Sequence, residues 1–141
     1  MSTFIEQLKA RAKKDIKTIV LAEGEEIRTL KAAETVKKEG YAKVILVGNP
    51  DKINAIAAAE GLDIAGIEII DSENSAKNEE YANVFYELRK SKGITPEQAA
   101  ETIKDPSYYA VMMVKQGDAD GMVSGAVHSS ADTIRPSLQI L

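Results

Sequence analysis

Four arginines stand against 14 lysines in this 141-residue chain, and that scarcity directs attention to where they fall. A planar guanidinium grips phosphate or carboxylate through two parallel hydrogen bonds, which an ammonium cannot do. Arg11 lies in the Lys9-Arg11-Lys13-Lys14 face of an N-terminal helix and reads as solvated charge. Arg28 follows the first apolar run, within Ala22-Glu23-Gly24-Glu25-Glu26-Ile27-Arg28, and Arg135 follows the last. Arg89 closes a helical stretch, where a positive charge also complements the helix dipole.

The densest chemical signal is Ser124-Gly125-Ala126-Val127-His128-Ser129-Ser130-Ala131-Asp132-Thr133-Ile134-Arg135-Pro136. A strand ends at a glycine, passes small polar residues and enters a helix that carries an arginine. Free N–H groups at the helix start, the hydroxyls of Ser129, Ser130 and Thr133, and the Arg135 charge together describe an anion site. The plainer alternative is a serine N-cap with Asp132 stabilising the first turn. Neither G-x-x-x-x-G-K nor G-x-G-x-x-G occurs, so nucleotide hydrolysis and dinucleotide binding lose their usual support. His128 has no Ser or Cys partner defined by pattern and reads as a packed or hydrogen-bonded loop histidine. Glu23, Glu25 and Glu26 read as acidic decoration of a helix N-terminus, because a metal site would need more ligands than the pattern offers.

These residues need elements to hold them. Four short runs have strand character: Thr18-Ile19-Val20-Leu21, Val44-Ile45-Leu46-Val47, Ile67-Glu68-Ile69-Ile70 and Gly121-Met122-Val123-Ser124. The first two are apolar without a break, as strands covered on both faces tend to be. Helical patterns separate the first three, over Ile27 to Gly40 and over Asp51 to Glu60, with a glycine at each end. That alternation predicts an α/β fold, a mostly parallel sheet flanked by helices in a three-layer αβα arrangement. Arg28 and Arg135 then fall at the carboxyl ends of strands, where open α/β sheets place ligands. From Ser75 to Gly117 the chain becomes helical. Tyr81, Val84, Phe85 and Leu88 share one face, and Thr95-Pro96 and Asp105-Pro106 mark two further helix starts. The Tyr108 to Gln116 stretch is apolar nearly all round and reads as a core helix.

Composition bounds the function. With 22 acidic and 18 basic residues the net charge is -4, which argues against nucleic acid or another polyanion as partner. The absence of cysteine excludes disulfides, thiolate zinc sites and cysteine nucleophiles, and a single histidine excludes multi-histidine metal sites. No metal is expected. No run approaches the roughly 20 apolar residues of a membrane span. Met1 to Glu6 opens an amphipathic helix and lacks a signal-peptide core. The expectation is a soluble, cytoplasmic protein. Ser130 to Leu141 opens a final helix that ends on apolar residues with no cap, as a piece of a longer protein would.

The string Asp120 to Pro136 closely resembles the corresponding stretch of phosphate acetyltransferases, the phosphotransacetylases. Ile27-Arg28-Thr29-Leu30, Val47-Gly48-Asn49, Phe85-Tyr86-Glu87-Leu88-Arg89-Lys90, Lys92-Gly93-Ile94-Thr95 and Tyr109-Ala110-Val111-Met112-Met113 are similar to that family in the same order. Phosphate butyryltransferases and the phosphotransacetylase-like domains of some malic enzymes share parts of the pattern. The resemblance covers essentially all 141 residues and implies the N-terminal part of a first α/β domain, incomplete, in a longer two-domain enzyme. Family members insert a second domain after a region like Ile134–Leu141 and then return to the first. The serine, arginine and aspartate credited with the chemistry lie in that later part, so the resemblance puts no catalytic residue on this chain. It carries over Arg28, Arg89, Ser129, Ser130, Thr133 and Arg135 as substrate-binding residues for CoA and phosphate.

The implied reaction interconverts acetyl-CoA and phosphate with CoA and acetyl phosphate. It uses CoA and acetyl-CoA as substrates and no further cofactor. A homodimer is implied for the full-length protein, and inactivity for the 141-residue chain alone. The alternatives are a phosphate butyryltransferase and a non-catalytic module that binds CoA or another anion.

Overall fold

Strand β1, Lys17–Leu21, begins one residue earlier than the apolar run suggests, and β2, Ala42–Val47, two earlier. Backbone pairing with a parallel neighbour extends each strand beyond its most hydrophobic part. Strand β3, Glu68–Ile70, loses Ile67, and β4, Gly121–Val123, stops before Ser124. The computed structural model describes residues 3–141, so Met1 and Ser2, where the N-terminal helix was expected to open, lie outside the described residues. All pairings are parallel, in the order β3-β2-β1-β4. The chain therefore starts in the middle of the sheet, builds outward to β3, and crosses to the other side of β1 for β4. Asp120 fixes that last addition, since its N–H donates to the Thr18 carbonyl and its carboxylate accepts from the Thr18 N–H, both at 2.8 Å.

Helices cover both faces, and the alternation of side chains along the strands shows how. Leu21, Val44 and Leu46 point to one side, against Leu30 and Ala33 of α2 (Ile27–Glu39) and Ile53 and Ala57 of α3 (Pro50–Ala59). Val20, Ala22, Ile45 and Val47 point to the other. There they meet α4 (Asn78–Arg89), α5 (Pro96–Ile103) and α6 (Pro106–Lys115), with Ile140 of α7 (Ser130–Ile140) joining them. A 3-10 turn, Lys90–Lys92, links α4 to α5. Helix α6 is the central piece of that layer, as its all-round apolar character requires: Tyr109 through Met113 are all buried. Helix α1 (Phe4–Lys14) is amphipathic but buries no residue, and Arg11 is exposed on it.

The helix ends follow local chemistry. Gly40 closes α2 in the left-handed conformation, with φ of 72°, and its N–H returns to the Val36 carbonyl. Asn49, Thr95 and Asp105 cap α3, α5 and α6, each followed by proline at the first helical position. Helix α3 starts at that proline, Pro50, one residue before the expected Asp51.

Candidate functional site

The strand order reverses at β1, so the carboxyl ends of β1 and β4 flank the crevice where an open α/β sheet binds its ligand. The segment after β1 and the segment after β4 meet there through one side chain. Glu23, with only 3% of its side chain exposed, projects into the loop between β4 and α7. Its Oε1 accepts the N–H groups of Gly125 and Ala126, both at 2.7 Å. Its Oε2 accepts those of Val127 at 2.9 Å and His128 at 3.1 Å, and meets His128 Nδ1 at 2.7 Å. Burial by itself would raise the Glu23 pKa. The N–H donors of Val127 and Ala126, the His128 ring and the His128 N–H outweigh it and hold the carboxyl at about 2.

This corrects one expectation. Of the three glutamates expected to decorate a helix start, only Glu26 does, as the N-cap of α2. Glu25 accepts instead from the Asn49 N–H after β2, at 3.2 Å. The N–H groups from Gly125 to His128, which precede the start of α7, are held by the protein's own carboxylate. Sequence reasoning missed Glu23 because its partners lie 102 to 105 residues away. His128 is the hydrogen-bonded loop histidine that its isolation in the sequence suggested.

Arg28 stands beside this tie. Its Nε donates to Glu26 Oε1 at 2.8 Å, and a terminal nitrogen donates to the Ala126 carbonyl at 2.6 Å. The guanidinium thus spans from the α2 N-terminus to the same loop. Its hydrogen bond, ahead of the backbone N–H of Arg28, keeps the Glu26 carboxyl below its ordinary value. Between these segments lies a cleft of about 210 Å³, lined by Glu23, Gly24, Glu26, Val127, His128 and Pro106 among others.

Helix α7 begins at the far side of the loop. Ser129 is its N-cap, the hydroxyl accepting from the Asp132 N–H at 3.1 Å, so the plainer reading of that serine holds. Ser130 is exposed on the first turn. Thr133 Oγ1 and Ser124 Oγ are buried without a hydrogen-bond partner among the described residues. Arg135 follows on α7. Its guanidinium pairs with Asp132 at 3.1 Å on the same helix, with both side chains more than half exposed.

Arg89 is in a second place. It lines a hollow of about 300 Å³ together with Lys92, Tyr108 and Gln139, and the Tyr108 hydroxyl donates to Gln139 Oε1 at 3.1 Å. Burial pushes the Tyr108 phenol up, and the charges of Arg135 and Arg89 pull it the other way. The six residues singled out from sequence therefore divide. Arg28 sits at the Glu23 cleft, Ser129, Ser130 and Thr133 on the first turn of α7, and Arg89 and Arg135 around Tyr108. Among the described residues no group of three His, Cys, Asp or Glu side chains is placed to hold a metal ion.

The family model for phosphate acetyl/butaryl transferase matches residues 3–141. This chain belongs to that family. The phosphate acetyltransferase of Acetivibrio thermocellus is 58% identical over 139 residues, covering 99% of this chain and 41% of that protein. That of Escherichia coli is 46% identical over 136 residues, covering 96% of this chain and 19% of that protein. Among solved structures, a phosphotransacetylase from Streptococcus pyogenes superposes with a TM-score of 0.92 at 36% identity, over all of this chain and 43% of its own. The EutD phosphotransacetylase from Staphylococcus aureus gives 0.86 at 41% identity, over 94% and 40%. The α/β fold is the family's fold. The chain spans about two-fifths of the length of the phosphate acetyltransferases of Acetivibrio thermocellus, 41%, and Thermoanaerobacterium thermosaccharolyticum, 42%. Among the described residues no helix is long and apolar enough to cross a membrane.

Proposed function

We propose that this chain supplies the CoA- and phosphate-binding half of a phosphate acetyltransferase cleft, as the N-terminal part of that enzyme's first domain. The observation that carries the reading is the meeting of Arg28, the Glu23-tied loop and the start of α7 at the carboxyl ends of β1 and β4. There a polyanionic ligand finds the Arg28 guanidinium and a helix N-terminus on a rigid frame. In the reaction, a base contributed from outside these 141 residues takes the CoA thiol proton. The sulfur attacks the acetyl carbonyl, a C–S bond forms, and the C–O bond to phosphate breaks as phosphate departs with the electron pair. Arg28 and Arg89 hold the phosphates of CoA, and Ser129, Ser130 and Thr133 hold the phosphoryl group together with Arg135 once the ligand displaces its exposed pair with Asp132. Their contribution is proximity and preorganised charge.

The test is a titration and an assay on the purified chain. CoA and inorganic phosphate should each give saturable heats in calorimetry, while acetyl phosphate and CoA should yield no acetyl-CoA above background. Robust turnover would place catalytic residues within these 141 positions. Absence of CoA binding would defeat the assignment. For the acyl group, acetyl phosphate and butyryl phosphate compared as substrates of an active full-length form decide between the two chemistries named for the family.

A further inference from the structure

A loop that presents four successive N–H groups to one point is ready to bind an anion, yet here an anion of the same chain already occupies it. The Glu23 carboxylate is almost wholly buried and receives all four groups, two on each oxygen, with no lysine or arginine in direct contact with it. An ionised carboxylate only accepts, so the 2.7 Å contact puts a proton on His128 Nδ1. In the neutral ring, Nε2 is then a bare acceptor at the opposite edge of an imidazole that is 37% exposed and lines the 210 Å³ cleft.

We propose that Glu23 is a positioning residue that fixes the β4–α7 loop and the His128 tautomer, so that His128 Nε2 accepts a hydrogen bond from a ligand N–H or S–H in the cleft. The same arrangement, a buried carboxylate orienting an imidazole, sets ring direction and basicity wherever a histidine must meet a ligand with one chosen nitrogen. The ligand's identity rests on the CoA reading above, whose pantetheine amides and thiol are donors of this class. The loop and tautomer do not rest on it.

Nitrogen-15 NMR of the imidazole and amide hydrogen exchange test the protein part directly in the unmodified chain. The expected result is that the singly protonated ring carries its proton on Nδ1, with protected amides at Gly125 through His128. A ring protonated at Nε2, or four freely exchanging amides, overturns the proposal whether or not any variant folds. In Glu23→Gln the side-chain amide replaces one acceptor oxygen with a donor. Exchange at the four amides should then rise by about tenfold or more, and the Nδ1–H tautomer should lose its dominance. The His128→Asn side chain can place a donor where Nδ1 was but nothing where Nε2 was. It should keep the amides protected while weakening CoA binding by about tenfold, as read by calorimetry. An unchanged CoA affinity in His128→Asn removes the acceptor role. No CoA binding by the unmodified chain removes the CoA reading and the acceptor's ligand with it, and the exchange and tautomer results still decide Glu23.

Discussion

A carboxylate that collects four backbone N–H groups and an imidazole N–H is stabilised in its charged form, and that preference is linked to folding. The Glu23 carboxyl sits at about 2 in the folded chain against an ordinary 4.5. Because the folded value is the lower one, the stabilisation is fully present above pH 4.5 and is lost as pH falls through the folded value, near 2. Glu26, Glu34 and Asp63 are also depressed, through an arginine side chain, a backbone N–H and a backbone N–H respectively, so acid weakens several ties at once. Glu23→Gln should flatten the fall in stability between those pH values, measured by urea unfolding at a series of pH values, and an unaltered slope would show that Glu23 is not linked. Arg135 is the residue whose role depends most on geometry. Its bond to Asp132 is an exposed pair on one helix turn, and such pairs contribute little to stability, so a ligand can displace it. Arg135→Gln should lose ~1.5–3 kcal/mol of phosphate affinity, about one to two decades in Kd. Arg135→Lys should restore part of this, because an ammonium supplies charge without the fork. Full restoration by lysine in the calorimeter would mean that charge alone matters there.

The elements that hold these residues were legible where their own sequence carries the information. Uninterrupted β-branched runs marked β1 and β2, and Thr95-Pro96 and Asp105-Pro106 marked α5 and α6, because caps and apolar runs are local signals. The Glu23 tie was not legible, since nothing near a glutamate announces donors more than a hundred residues on. The same is true of Gly24, which reads as one glycine among acids. The structure shows why no side chain fits there. A Cβ on Gly24 would lie 2.8 Å from the Val47 carbonyl oxygen and 3.0 Å from Ile53 Cδ1, while the Gly24 N–H donates to that same carbonyl at 3.1 Å. The backbone after β1 must run against the end of β2 for Glu23 to reach the loop. Gly24→Ala should therefore destabilise the chain by about 1–3 kcal/mol, the usual effect of forcing atoms into a filled site. It should also loosen the Gly125–His128 amides in exchange experiments. Wild-type stability in Gly24→Ala would show that the two strand ends can separate at no expense to the fold.

At the scale of the whole chain, large apolar side chains stay exposed on an edge strand, in the loop after it and on the last helix. Two of the sheet's strands, β3 and β4, are edges, and β4 is three residues long with Val123 at 59% exposure. Val127 in the loop after it, Ile134 and Leu138 of α7 and the final Leu141 are exposed as well, Leu138 at 77%, although Ile140 on the same helix is buried against the core. The sequence showed this as a final helix ending on apolar residues. It could not show which of them stay exposed: Leu138 and Leu141 do, while Ile140 turns into the core. Large apolar side chains left exposed are poorly solvated by water and adhere to their own kind. The 141-residue chain on its own should therefore self-associate in a concentration-dependent way, with sedimentation velocity showing species larger than 15.3 kDa as concentration rises. Leu138→Glu places a charge at the most exposed of these positions, away from the Glu23 cleft, and should shift the distribution toward monomer while leaving CoA binding and the protection of the Gly125–His128 amides as they were. An unmodified chain that remains monomeric throughout, or a Leu138→Glu chain that associates as strongly as its parent, would mean that these exposed side chains are not adhesive.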